Sequence, residues 1–487
     1  MVVESTARTL ISPQAIRPLG KLETYSASRH ALGIYRCVTV SARYVNPPSP
    51  PSAADAAIFR ALGQLVLRHP MLRVGIRGED TNTPEFVSVP SLDLQDHVTF
   101  RSLPADEHYE TGVSDVHAWC HDQLWPDVET RPPWGVVVVR PDANAGNPEF
   151  NFEDIVFSFH HSLMDGTSAK HFHEQLLTAL NQPNQDQQPT HVLKFSSPPL
   201  LPAPQEALLN YTTSAFFMGR VLWGELAPSF LKPAKPAIWE GKPIDFARPH
   251  AARVLAVDIP AAVVPSLLAV TRKHSASITA LLHALCLASL SRRLPAQDAP
   301  GFKASTPINA RAYLADDAVD KDTFRIAISV ATHEFLSAPL AALRAPDADL
   351  DALIWRHAAA SKSDFNARLA TLPADDPISL LSYVTDWKTF WAKKQGQSRD
   401  YSWEVSNLGT LSTPEGGPRS IARALFTNGI MVAGGPMSVS VVSVPEGPLT
   451  ASITWNEDVV PEELMKGLAE DLSAYTTRMH ETGKFTA

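Results

Sequence analysis

The sequence predicts an α/β protein, α+β within each layered lobe, built as two lobes of similar size that each carry a mixed sheet with flanking helices. Three observations carry this. At 487 residues the chain is too long for one ordinary core. Both halves alternate β-branched, aromatic-rich runs with runs whose apolar residues recur at helical spacing. Between the halves, Gln182 to Gln205 reads QPNQDQQPTHVLKFSSPPLLPAPQ, rich in proline and glutamine and without periodicity, which is the composition of a linker. The expected division is a first lobe at 1–181, a linker at 182–205 and a second lobe at 206–487. No direct repeat relates the halves.

In the first lobe, Leu32 to Tyr44 suits a strand, with Val38, Val40 and Tyr44 among its β-formers. The run AADAAIFRALGQLVLRH places Ile58, Leu62, Leu65 and Val66 on one helical face, and Pro70 ends it. Strands come next at Gly135–Arg140 and Asp154–His160. The linker gives way to an apolar stretch over 206–231, interrupted by Asn210, Arg220 and Glu225, whose unbroken runs are too short to cross a bilayer. A helix covering a cleft is the expected use of it, with contact to a membrane surface through 208–231 as the competing one.

The second lobe then alternates a strand at 252–260, helices at 261–274 and 277–294, strands near 302–308 and 325–335, and two long helices between Leu350 and Gln395. Four strands are expected from Tyr401 to Trp455, and a closing helix opened by Pro461.

A net charge of −9 gives no general attraction for nucleic acid or acidic membranes. Cys37, Cys120 and Cys286 are odd in number and widely spaced, so neither a disulfide framework nor a structural zinc site is expected, and a reducing, cytoplasmic setting fits. The first twenty residues lack the apolar core of a signal peptide.

One short stretch carries chemistry: HHSLMDG, His160 to Gly166. With 17 histidines in the chain, two adjacent ones followed at this spacing by Asp-Gly should arise by chance on the order of once in a thousand such chains. A metal reading would recruit His160, His161, Asp165, His171 and His173. Neighbours on a strand point to opposite faces and residues two apart on a helix diverge, so no metal is expected. A proton-transfer reading needs one histidine held in one tautomer at the mouth of a cleft. His161 fits, because Ile155, Phe157 and Phe159 share its strand face and form an apolar floor, with Gly166 permitting a sharp turn into a helix starting near Ser168. His160 then faces away and is structural. Asp165 could orient the base or turn aside to pair with an arginine. No GxSxG, P-loop or GxGxxG accompanies the motif, which takes support from a covalent serine mechanism, ATP chemistry and dinucleotide binding.

His160, His161, Asp165 and Gly166 match the HHxxxDG motif, and the chain resembles the coenzyme A-dependent acyltransferase superfamily of chloramphenicol acetyltransferase, the plant BAHD enzymes and peptide-synthetase condensation domains. Arg17 to Val38 looks like the opening of its fungal alcohol O-acetyltransferase branch. Leu65–Ile76 and Arg131–Val139 resemble stretches preceding the motif, and SITALLHALCLASL, STPINAR and VSNLGTL fall where the second half has its signatures. The resemblance implies two chloramphenicol-acetyltransferase-like lobes around a solvent channel. It makes His161 the general base, Asp165 a structural brace and Arg311 the salt-bridge partner of Asp165. It also implies acyl-CoA, acetyl-CoA first, as co-substrate, and an alcohol acceptor, a hydroxylated secondary metabolite being one candidate.

An oxyanion needs donors, and Ser406 or Asn407 could supply one. The plant DFGWG motif is absent, with SNLGT in that region, and no residue is assigned to coenzyme A. The expected enzyme is a monomeric alcohol O-acetyltransferase working by direct attack. A carrier-protein donor, amide formation, or a non-catalytic binding protein of the same fold are the alternatives.

Overall fold

The computed structural model describes residues 13–46, 51–142, 151–182, 190–227, 236–315, 320, 322–414 and 416–486. Two sheets organise them. The first has five strands in the order Ser420–Asn428, Val38–Val45, Phe152–Phe159, Trp134–Asp142, Val98–Pro104. All its pairings are antiparallel except the last, which is parallel. The second has six, in the order Ala252–Ile259, Leu449–Asn456, Met437–Ser443, Trp403–Thr410, Phe302–Asn309, Ile328–Phe335. Its inner strand Trp403–Thr410 runs parallel to both neighbours.

Each sheet buries one face under helices. Pro51–Arg68 and Gly166–Asn181 pack on the first sheet, around a core that includes Ile58, Leu62, Phe157, Phe159 and Phe172. Ile278–Arg293, Leu350–Thr371 and Glu462–Thr482 pack on the second, around Leu285, Phe302, Trp403, Ile453 and Leu468. The reason lies in the sequence pattern: Phe157 and Phe159 alternate inward from one strand, and Leu176 and Leu180 recur at helical spacing opposite them.

The division along the chain is less simple than the spacing suggests. Strand Ser420–Asn428 belongs by sequence to the second half, yet it pairs with Val38–Val45 in the first sheet. Within the expected linker, Val192–Lys194 pairs with Ser91–Asp93, while residues 183–189 lie outside the described ones.

Several elements differ from expectation. The first strand occupies Val38–Val45, and Leu32–Cys37 is irregular chain. The apolar stretch is two helices, Gln205–Leu208 and Ala215–Leu226, the second opened by Ser214 accepting from the Phe217 amide. Phe217 is buried while Phe216, Trp223 and Leu226 are exposed, and the helix lies beside Val330–Thr332 and Arg368. Residues 228–231 lie outside the described ones. Between Leu350 and Gln395 there is one long helix, not two. Pro373 forces Leu372 out of the helical region, and beyond it come a short turn at Pro377–Tyr383 and the six-residue helix Trp387–Ala392. Pro461 sits one position before the closing helix rather than first within it. No single described helix is long and apolar enough to cross a membrane.

Candidate active site

The strand Phe152–Phe159 stops one residue before the motif. His160 donates its backbone amide to the Pro133 carbonyl, and a turn carries the chain over His161 to Leu163. His161 ends above the edge of Phe159, ring centroids 6.5 Å apart, and 5.8 Å from the ring of Tyr35. Its Nδ1 lies 2.9 Å from the Met164 carbonyl oxygen. A carbonyl can only accept, so Nδ1 carries the proton and Nε2 presents its lone pair. Burial, with the Arg29 cation adding to it, pushes the imidazolium pKa of His161 down to about 4. The ring is therefore neutral at physiological pH.

Asp165 turns away from His161. Its Oδ2 accepts from Arg311 Nη1 at 2.8 Å and from the Ala327 amide at 2.9 Å. Its Oδ1 accepts from Arg311 Nη2 at 3.0 Å and from the Ser168 amide at 3.0 Å. Burial opposes the charge, but Arg311 and these amides outweigh it and hold the carboxyl below its ordinary range. The residue is at once the cap of helix Gly166–Asn181 and the anchor of that helix to the second half. Of the two jobs left open by sequence, it does the second.

The helix starts at Gly166, two residues before the expected Ser168. The glycine is needed for contact rather than for a turn. Its backbone is not left-handed, and a Cβ there would come 2.8 Å from Cδ2 of Leu408. This contact shows which way Trp403–Thr410 faces: Glu404, Ser406 and Leu408 alternate toward the first half. Ser406 therefore lies on the motif's side of its strand. Asn407 does not, which corrects its candidacy as an oxyanion donor: its amide nitrogen donates to Thr279 and its oxygen accepts from the Gly409 amide.

His160 is buried and structural in its contacts. Its Nδ1 accepts from the Ser162 amide at 3.0 Å, so its Nε2 must be the N–H that donates to Glu79 Oε1 at 2.7 Å. His30 mirrors it, accepting from the Trp125 amide at Nε2 and donating from Nδ1 to the same oxygen at 2.9 Å. The two imidazoles pull Glu79 down to about 2 against the effect of burial. The three side chains lie close enough together to suggest a metal site. Their donor set does not fit one, because a ring nitrogen that accepts a backbone N–H leaves its facing nitrogen protonated. The other histidines considered for a metal lie elsewhere: His173 bonds Tyr44 and the Val40 carbonyl, and His171 faces Asp322.

The chain is similar to known proteins along most of its length. The sequence pattern of the alcohol acetyltransferase family matches residues 105–471. The chain belongs to the alcohol acetyltransferase family. A probable alcohol acetyltransferase, FCK4, of Fusarium pseudograminearum is 29% identical over 97% of this chain and 96% of its own length. Another, crmB of Aspergillus fumigatus, is 24% identical over 94% and 98%. Among solved structures, the TRI3 trichothecene 15-O-acetyltransferase of Fusarium sporotrichioides superposes with a TM-score of 0.67 at 13% identity, covering 95% of this chain and 96% of that one. The wax ester synthase/diacylglycerol acyltransferase of Marinobacter aquaeolei superposes at 0.56 and 16%, covering 93% and 98%. The chain is thus an acyltransferase with the two-lobe architecture of that superfamily.

Four residues around the HHSLMDG motif escape sequence reading: Arg29, His30, Tyr35 and Glu79. The first three stand within SRHALGIY, a stretch that resembles the family's opening without marking a role for any of its side chains. Glu79 lies 81 residues before His160 in a surface-like RGED, and no local pattern ties the two.

Proposed function

We propose that the acetyltransferase moves an acetyl group from acetyl-CoA to the hydroxyl of a small-molecule alcohol, by direct attack within a ternary complex, with His161 as general base. The observation that carries this is the fixed tautomer of His161: the Met164 carbonyl occupies Nδ1–H, and Nε2 is left to accept a proton. The acceptor oxygen forms its bond to the thioester carbonyl carbon while its proton passes to Nε2. Collapse of the tetrahedral intermediate breaks the C–S bond, and the departing thiolate takes that proton from His161, giving ester and free coenzyme A. His161 ends as it began, so no acyl-enzyme is required.

Ser406 is the remaining side-chain candidate to donate to the oxyanion. The trichothecene hydroxyl named for TRI3 supports a hydroxylated secondary metabolite as acceptor. The buried free cysteines suit a reducing cytoplasm.

The test is thiol release from acetyl-CoA against a panel of alcohols and amines, for wild type and for His161→Ala with folding checked by circular dichroism. Acceptor-dependent release that disappears in the folded variant supports the reading, and wild-type rates in the variant overturn it. A second panel of donors, free acyl-CoAs against acyl carrier proteins, tests the donor assignment.

A further inference from the structure

Arg29 is buried, at 6% exposure, inside helix Lys21–Ala31, and among the described residues no carboxylate neutralises it through a direct bond. Its guanidinium carbon lies 4.3 Å from the ring centroids of both Tyr25 and Tyr35. Its Nη1 reaches only the Met431 sulfur at 3.4 Å, its Nη2 reaches the Ser26 hydroxyl at 3.2 Å, and its buried Nε has no partner among the described residues. Glu404 turns its oxygens to Asn428 and Ser305 instead. A buried cation with such weak acceptors is unfavourable unless something else completes it.

Arg29 lines a cavity of about 230 Å³ between the two halves of the chain. Tyr25, Phe390, Trp391 and Tyr401 supply flat aromatic walls. Lys394 and Asp400, which also line it, pair with each other at 3.0 Å. The cavity has room for about eight waters, which corresponds to a compact molecule of about ten heavy atoms. The Tyr35 ring packs against Arg29 and lies 5.8 Å from the His161 ring, though neither Tyr35 nor His161 lines the cavity.

We propose that this cavity binds a planar aromatic molecule whose carboxylate pairs with Arg29. The binding it asserts does not depend on the acyl-transfer reading. A guanidinium is suited to a carboxylate by its fork of donors, and the tyrosine rings hold it in place for that contact.

The test is calorimetric binding of para-hydroxymethylbenzoate and of para-hydroxymethylbenzamide, two alcohols of the same shape that differ in charge, without any thioester present. Wild type should bind the benzoate at least tenfold more tightly than the benzamide. Arg29→Gln should bind the two equally, and Arg29→Lys should keep a preference for the anion. His161→Ala should bind the benzoate as wild type does, which separates this inference from the catalytic one. Equal binding of the two compounds by wild type, absence of benzoate binding at millimolar concentration, or an undiminished preference in Arg29→Gln would each overturn it. If Arg29→Gln does not fold, the wild-type and Arg29→Lys comparisons still decide.

Discussion

Arg311 closes on Asp165 from 146 residues further along the chain, its Nη1 and Nη2 each within 3.0 Å of a carboxylate oxygen. The same guanidinium also holds the Ser168 hydroxyl and the Arg325 carbonyl, so one side chain ties the start of the motif helix to a turn of the second half. Both partners are buried, and removing either leaves the other as an uncompensated charge. Asp165→Ala and Arg311→Met should each cost about 3–5 kcal/mol in urea unfolding. The double variant should cost less than the two singles added.

The pair also sets a pH dependence of stability. Asp165 has a depressed carboxyl in the folded state against about 3.9 in the unfolded chain. Its contribution is then fully present above about pH 4 and is lost as pH falls through the folded value. Wild type should lose stability more steeply than Asp165→Asn below pH 4, and equal slopes would remove the charged pair from the account.

Acid should affect catalysis late. With His161 pushed down to about 4 from the ordinary 6.5, the ring stays unprotonated at pH 5. The acid limb of kcat/KM should therefore fall well below pH 6.5, and rates at pH 5.5 and 7 should agree within about twofold. In Arg29→Gln, which removes the cation but keeps the burial, the limb should move upward. A wild-type limb centred near 6.5 would count against either the depressed pKa of His161 or its role as the base.

Glu79 is expected to matter beyond its place at the edge of the motif. Both His30 and His160 donate to its Oε1, and neither ring can reverse without giving up a backbone amide bond. Glu79→Gln sets an N–H against an N–H whenever the amide turns, at a cost of about 1–3 kcal/mol. Since His160 directly precedes His161, the proposed base, kcat should drop at least tenfold with KM little changed, and Glu79→Asp should recover part of it. Loss of stability with kcat unchanged would limit the network to holding the fold.

These cases separate what sequence could and could not tell. The sheet strands around Trp134–Asp142 and Phe152–Phe159 were legible because an alternating or continuous apolar run is a local signal. The motif around His161 was legible because it lies within seven residues. Strand Ser420–Asn428 was visible as a strand, but its place beside Val38–Val45 depends on a pairing between distant segments. His30, Glu79 and His160 likewise become neighbours only through the fold. The long helix after Leu350 ended early because Pro373 outweighs the helical composition around it.

Gly166 gives the sharpest test of contact against conformation. A glycine kept for a left-handed backbone cannot be rescued by space elsewhere, whereas one kept for contact can. Its Cβ position lies 2.8 Å from Leu408 Cδ2 and 3.4 Å from Phe426, and its backbone is one that alanine adopts readily. Gly166→Ala should therefore push Leu408 away from the motif, costing about 1–3 kcal/mol and lowering kcat. Leu408 lies two residues beyond Ser406 on the same strand face, so the displacement should reach Ser406. Gly166→Ala/Leu408→Ala makes room for the new methyl and should regain kcat relative to Gly166→Ala alone, measured by thiol release. Failure of that second substitution to restore any activity would show that the motif needs the glycine for backbone freedom after all.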